Sequence, residues 1–171
     1  MTSTMVEVAR MMAMRRLLPP SLFLLLCLLM VGAAFAFPGR SPSTPLLALG
    51  AAGLAFGLAL SVSGSRLFDK IGTNIVTFED PGTLVVSGPF RWSRNPMYLG
   101  FQIAITGVAV MLASPWALLG PAAFFVACHR VYIPFEEARL RARFGADYER
   151  YRGRVRRWIG RRRVVEADHP L

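Results

Sequence analysis

The chain has 171 residues, is 54% apolar and carries a net charge of +10. That length suits one domain, and the apolar share is high for a soluble one. His129 and His169 lie far apart with no Cys or His companions, so no metal-ligand spacing exists and no metal is expected.

Residues 1–16 form a polar lead holding Arg10, Arg15 and Arg16. Three stretches then carry no Asp, Glu, Lys or Arg: Leu17 to Gly39, Ser41 to Ser65, and Asn95 to His129. A bilayer core about 30 Å thick needs roughly 20 apolar helical residues, so the first two stretches fit one span each. The third would be about 52 Å long as a helix, too long for one crossing. Ser114-Pro115-Trp116 interrupts it, and Pro disfavours helix at the residue before it. The expected fold is therefore an all-α membrane protein with about four transmembrane helices.

Basic residues give the orientation. They precede the first span, fill the 66–94 segment (Arg66, Lys70, Arg91, Arg94), and recur as eleven arginines from Arg139 to Arg163. Only Arg40 lies between the first two spans, and none lies in the Ser114 turn. The positive-inside rule then places both termini and the 66–94 loop in the cytoplasm. An alternative for the N-terminus is a signal peptide cleaved after Ala34-Phe35-Ala36, which would leave the remaining topology unchanged. The arginine-rich tail reads as a topology signal with attraction to anionic lipid, and no nucleic-acid partner is expected.

The first hairpin, 17–65, turns at Pro38, Gly39, Pro42 and Pro45. Gly53 and Gly57 form a small-xxx-small pair suited to close helix packing. Cys27 and Cys128 fall in apolar spans and read as unpaired small apolar residues. The 66–94 loop contains Leu84-Val85-Val86, too short for a strand and readable as an apolar segment at the membrane surface. After the last span, Phe135 to about Ile159 reads as an amphipathic helix: Leu140, Phe144, Tyr148, Tyr151, Val155 and Ile159 fall on one face. That face is expected on the bilayer or over the end of the bundle, with Trp158 at the interface. Residues 66–163 thus form a core, and 164–171 a tail.

Two charged clusters bracket the second hairpin: the run from Gly88 to Gly100, and Glu136-Glu137. They lie 41 residues apart from Asn95 to Glu136, yet a hairpin brings both to one membrane side. Glu137 and Arg141 at i,i+4 are expected to pair. Spacing alone leaves an ordinary structural role open for these acids.

Gly88-Pro89-Phe90-Arg91, followed by Ser93-Arg94-Asn95-Pro96-Met97-Tyr98-Leu99-Gly100, resembles the signature of the isoprenylcysteine carboxyl methyltransferase-like membrane methyltransferases, relatives of the phospholipid methyltransferases. Glu136-Glu137, Leu140, Phe144-Gly145, Tyr148 and Tyr151 resemble that family's C-terminal motif, and Thr73-Asn74 and Leu84-Val85 sit where bacterial-type members carry similar residues. The resemblance spans about Arg66 to Ile159. It implies S-adenosylmethionine as cofactor, with binding candidates Gly82, Thr83, Leu84, Val85, Phe90, Asn95, Pro96, Met97, Tyr98, Glu136 and Glu137. Phe90 and Tyr98 would offer aromatic faces to adenine or the sulfonium. Glu137 would accept from the ribose hydroxyls or the ammonium. Many members have His where this chain has Asn95, which bonds but does not titrate near neutral pH. Members often have Val-Pro where this chain has Val155-Arg156. Glu137, Arg94 and Arg130 are the catalytic candidates, with Arg91 a further cation for a carboxylate acceptor. The expected partner is a lipid or lipophilic acceptor at a bacterial inner membrane: an isoprenylcysteine-like carboxylate, a phospholipid amine or a thiol. The competing expectation is a non-catalytic membrane partner that kept the fold.

Overall fold

A computed structural model describes residues 18–37, 39, 41–71 and 82–162. The expectations for the N-terminal lead, Thr73-Asn74 and the tail from residue 163 fall outside them. Among the described residues five α-helices form the frame: α1 (Pro19–Ala36), α2 (Thr44–Ile71), α3 (Pro96–Leu112), α4 (Leu119–Ala127) and α5 (Ile133–Arg154). A five-residue π turn, Cys128–Tyr132, joins α4 to α5 without a loop.

The apolar runs become helices that leave their side chains outside. Leu24, Leu28, Leu29, Phe35, Phe56 and Val126 are all exposed. A water-soluble bundle would turn such residues inward, whereas lipid solvates them. Three helical stretches are long and apolar enough to cross a membrane: Pro19–Ala36, Thr44–Lys70, and the run Pro115–Arg154 containing α4 and α5. The shorter apolar helix α3 has 17 residues, about 25 Å at 1.5 Å per residue. Four apolar helices thus stand where the hydropathy pattern placed four spans.

Proline and left-handed residues punctuate the frame. Pro19 and Pro96 sit at helix starts, where the missing N–H has no intrahelical partner to lose. α3 ends at Ala113, in the left-handed conformation (φ 46°), followed by the Ser114-Pro115 turn expected from sequence. A Cβ on Gly39 would lie 2.6 Å from the Ala113 carbonyl oxygen, so the two outer turns sit against each other. Pro134 explains the π turn. It has no N–H for the carbonyl four residues back, and its ring crowds that carbonyl. A wider turn relieves the clash by admitting one extra residue.

α2 and α3 pack antiparallel with their backbones nearly touching. A Cβ on Gly57 would meet the Gly100 carbonyl oxygen at 2.4 Å, and one on Gly107 would meet the Gly50 oxygen at 2.5 Å. The tight positions are Gly50 and Gly57 on α2 and Gly100 and Gly107 on α3, each seven apart. Seven-residue spacing keeps one seam facing its neighbour over two turns. Gly53, by contrast, has ordinary clearance: its Cβ would be 3.5 Å from Gly107 Cα. The close-packing role therefore lies on the heptad Gly50/Gly57 rather than on the Gly53/Gly57 pair.

Two apolar clusters result. The first, inside the bundle, contains Phe23, Met30, Tyr98, Ile105, Phe124 and Ile133. The second caps the charged end: Val85, Phe90, Tyr148, Tyr151 and Val155, with Leu67, Phe68, Leu140 and Phe144 against it. The apolar face of α5 thus covers the 84–90 segment and the end of α2. The helix expected to reach Ile159 stops earlier. Gly145 breaks it internally (φ 48°, ψ −119°), and Val155 is extended. Gly160 (φ 103°) then reverses the chain, and Val155 bridges Arg161 in an antiparallel pair. Ile159 accordingly lies in the bend before that reversal and is exposed.

Candidate functional site

The hairpin 155–161 stitches the charged end together through its backbone. The Arg94 N–H donates to the Arg156 carbonyl at 3.1 Å, and the Gly160 N–H to the Trp92 carbonyl at 2.7 Å. The Asn95 amide nitrogen donates to the Arg157 carbonyl at 2.9 Å. Asn95 is the N-cap residue of α3, yet its side chain makes no capping bond. A cap contributes about 1 kcal/mol. Here that helix contact gives way to a long-range one.

Glu137 lies at the centre. Its carboxylate is 9% exposed and faces the Arg94 guanidinium, 5% exposed, with Nη2 3.1 Å from Oε1. Arg157 grips the same carboxylate from the hairpin, Nη2 to Oε2 at 2.6 Å and Nε to Oε1 at 3.1 Å. Such a two-pronged fork is the strong geometry for guanidinium and carboxylate. Arg94 Nη1 also donates to the Tyr148 hydroxyl at 3.1 Å. Burial pushes the Tyr148 phenol above its ordinary pKa, and the nearby Glu137 charge adds to the rise. The Arg94 Nε is buried with no hydrogen-bond partner. A buried donor left that way costs about 1–3 kcal/mol, so the cluster retains capacity for an acceptor.

Glu136 and Tyr98 flank this centre. The Tyr98 hydroxyl donates to Glu136 Oε1 at 2.7 Å, and its ring stacks on Tyr132 at 6.4 Å between centroids. Pro96 is fully buried, and Met97 packs toward Gly64 of α2. The fold thus brings Arg94, Asn95, Pro96, Met97, Tyr98, Glu136 and Glu137 to one place. It does so because α3 and α5 both begin at the charged end.

Other candidates lie elsewhere. Val85 and Phe90 are buried in the second cluster, the Phe90 ring edge-on to Phe68 at 5.2 Å. The Tyr151 hydroxyl donates to the Phe90 carbonyl at 2.8 Å. Leu84 borders that cluster, while Gly82 and Thr83 are exposed. Arg91 and Arg130 are exposed, and neither makes an ion pair with another described residue. The expected Glu137–Arg141 pair does not form. Glu137 turns inward to Arg94 and Arg157, and Arg141 bonds Glu149 at 2.7 Å on the outer face.

Sequence reasoning missed Arg157, one arginine among eleven near the C-terminus, with no spacing signal to single it out. It also missed the anchor of the hairpin. The Trp158 indole N–H donates to His129 Nδ1 at 3.1 Å, and its ring stacks on Phe125 at 5.0 Å. That contact fixes the hairpin to the end of α4 and the π turn.

Against known proteins, the chain matches curated relatives over just under half of its length. It is 39% identical over 83 residues to a probable protein-S-isoprenylcysteine O-methyltransferase of Oryza sativa subsp. indica, covering 47% of this chain and 42% of that protein. It is 37% identical over 79 residues to protein-S-isoprenylcysteine O-methyltransferase A of Arabidopsis thaliana, covering 44% and 39%. The Xenopus laevis protein of that name is 35% identical over 79 residues, covering 44% of this chain and 26% of its own length. The chain therefore spans about two fifths of the plant relatives it matches. No solved structure matches it. The family model for phospholipid methyltransferases matches residues 46–147, from early α2 through the site and into α5. With most of the bundle and the Asn95–Glu137 cluster inside that match, the chain belongs to the phospholipid methyltransferase family.

Proposed function

We propose that this protein transfers a methyl group from S-adenosylmethionine to a lipophilic acceptor where the charged end of the bundle meets the cytoplasm. The observation that carries the reading is the buried Glu137 carboxylate between Arg94 and Arg157, beside an unpartnered Arg94 Nε. A zwitterionic amino-acid end needs both signs of charge in one place. Glu137 would accept from the ammonium, and Arg94 and Arg157 would hold the carboxylate. A buried charge with such partners avoids the cost of standing alone. The cofactor, when bound, supplies a methyl group on a sulfonium that is already a good leaving group. The protein's task is then to position the acceptor and exclude water.

The site favours a carboxylate acceptor. A carboxylate is nucleophilic without a base, whereas an amine or thiol must lose a proton. His129 is the histidine nearest the cluster in sequence, and its Nδ1 already accepts from Trp158. Asn95 cannot serve as a base. Two guanidiniums on one carboxylate leave a positive charge able to bind an acidic acceptor. The relatives' names, protein-S-isoprenylcysteine O-methyltransferase, agree with that class. A phospholipid amine and a thiol are the competing acceptors. The arginines at this end support a cytoplasmic side for it and for both termini, in a bacterial cell that of the inner membrane.

Calorimetric titration of the purified protein with S-adenosylhomocysteine tests the reading. Saturable binding is expected, and its absence at near-millimolar cofactor product would sink it. Incubating membranes with methyl-labelled cofactor then identifies the acceptor by whether label enters lipid, protein or a small molecule. A non-catalytic partner is the second reading, favoured by Arg157 already filling both Glu137 oxygens. It predicts binding or none, but no transferred label.

A further inference from the structure

A concave site lies outside the Glu137 cluster. It is a groove of about 430 Å³ walled by the 84–91 segment, the last turns of α5 and the 155–161 hairpin. Four arginines line it, Arg91, Arg150, Arg154 and Arg161, against one acid, Asp147. Asp147 is already engaged by Arg150. Arg91, Arg154 and Arg161 have no ion pair among the described residues. Tyr151 and Val155 form an apolar floor.

The fold draws these cations together rather than merely exposing them. Arg150 and Arg154 are four apart on one face of α5, where like charges disfavour each other. The Val155–Arg161 bridge and the Arg162 N–H bond to the Arg154 carbonyl, 2.8 Å, return the chain so that Arg161 faces them. Arg91 is set by its neighbour Phe90, whose carbonyl the Tyr151 hydroxyl holds. Four guanidiniums around an apolar floor are complementary to an anion carrying apolar substance. The groove also lies level with the span ends, since Leu67 and Phe68 of α2 pack on the same cluster. Beside it Trp92 is 63% exposed, the placement tryptophan takes at a membrane interface.

We propose that this groove binds the phosphate of an anionic phospholipid headgroup. The site is separate from the Glu137 cluster and does not depend on methyl transfer. Diffuse attraction of a basic surface to anionic lipid is the background to be exceeded. The full protein, purified in detergent, would be examined by native mass spectrometry with phosphatidylglycerol, phosphatidylcholine or inorganic phosphate. Wild type should retain phosphatidylglycerol over phosphatidylcholine. R150Q/R154Q should weaken that retention roughly 30-fold, from about 1 kcal/mol for each arginine near a lipid phosphate. R143Q/R152Q removes the same charge outside the groove and should leave most of the retention intact. All four side chains are exposed, and thermal unfolding would verify that both variants fold. Equal losses in the two variants would reduce the effect to surface charge and overturn the proposal. Inorganic phosphate binding with the same dependence on Arg150 and Arg154 would reassign the groove to a free anion. Displacement of bound lipid by S-adenosylhomocysteine would overturn its separateness from the cofactor site.

Discussion

Replacing Glu137 by Ala removes the carboxylate that pairs with Arg94. The Arg94 side chain is 5% exposed and cannot reach water without opening the cluster, whereas Arg157, 29% exposed, can swing outward. The loss is therefore the cost of stranding a single buried guanidinium. Breaking a buried pair from one side destabilises by about 3–5 kcal/mol. Removing both charges with side chains of similar volume is often close to neutral, so R94M/E137L should recover most of that loss. Some deficit of about 1 kcal/mol should remain, because Tyr148 loses its hydrogen bond from Arg94. The assay is unfolding in detergent micelles by denaturant or heat, followed by circular dichroism, for E137A, the singles R94M and E137L, and the double. E137A within about 0.5 kcal/mol of wild type would refute the argument. So would a double variant as unstable as the sum of the singles, because no coupling would then exist between the two charges.

The α2–α3 seam makes a sharper claim. Gly57→Ala and Gly100→Ala place a methyl 2.4–2.5 Å from a carbonyl oxygen of the opposite backbone, and should cost about 1–3 kcal/mol or more. Gly32→Ala, with nothing within 4 Å, should be tolerated, and the same unfolding assay compares them. Trp158→Ala should loosen the hairpin, read as faster proteolysis after Arg154 with α1–α4 intact, while Trp158→Phe keeps the stacking and loses only the bond to His129. Burial raises the pKa of both Tyr148 and Tyr151 above the ordinary value of 10.0. The native state therefore holds those protons more tightly than the unfolded chain. Their stabilising contribution is complete below about pH 10 and fades as pH climbs through the raised native values. Absorbance of ionised tyrosine should rise together with loss of helical signal above pH 10, and Tyr148→Phe should diminish that step.

Much of the architecture was written in the chain's spacing. The charge-free runs marked the apolar helices, Ser114-Pro115 marked their turn, and hairpin topology placed Asn95 and Glu137 at one end. The finer structure was hidden for physical reasons. A seven-residue glycine repeat split across two helices shows as a seam only once the helices face each other. The left-handed Gly145 looks, in sequence, like one tolerable glycine in an amphipathic helix. Arg157 acquires its role from a chain reversal at Gly160 that local periodicity does not encode. Pro134 was a readable signal for the π turn, but its effect falls on residues before it, in a run that looks uniformly helical.

That π turn ties the site to a count of residues. One extra residue in a helix turns everything beyond it by about 100°. The same rod therefore shows Phe124 to the bundle interior and Glu137 to Arg94, two directions that an uninterrupted helix would not serve together. Among related chains, the 128–132 segment should tolerate changes of side chain more readily than gain or loss of a residue. A single deletion there would leave every site residue present and swing Glu137 away from its partners.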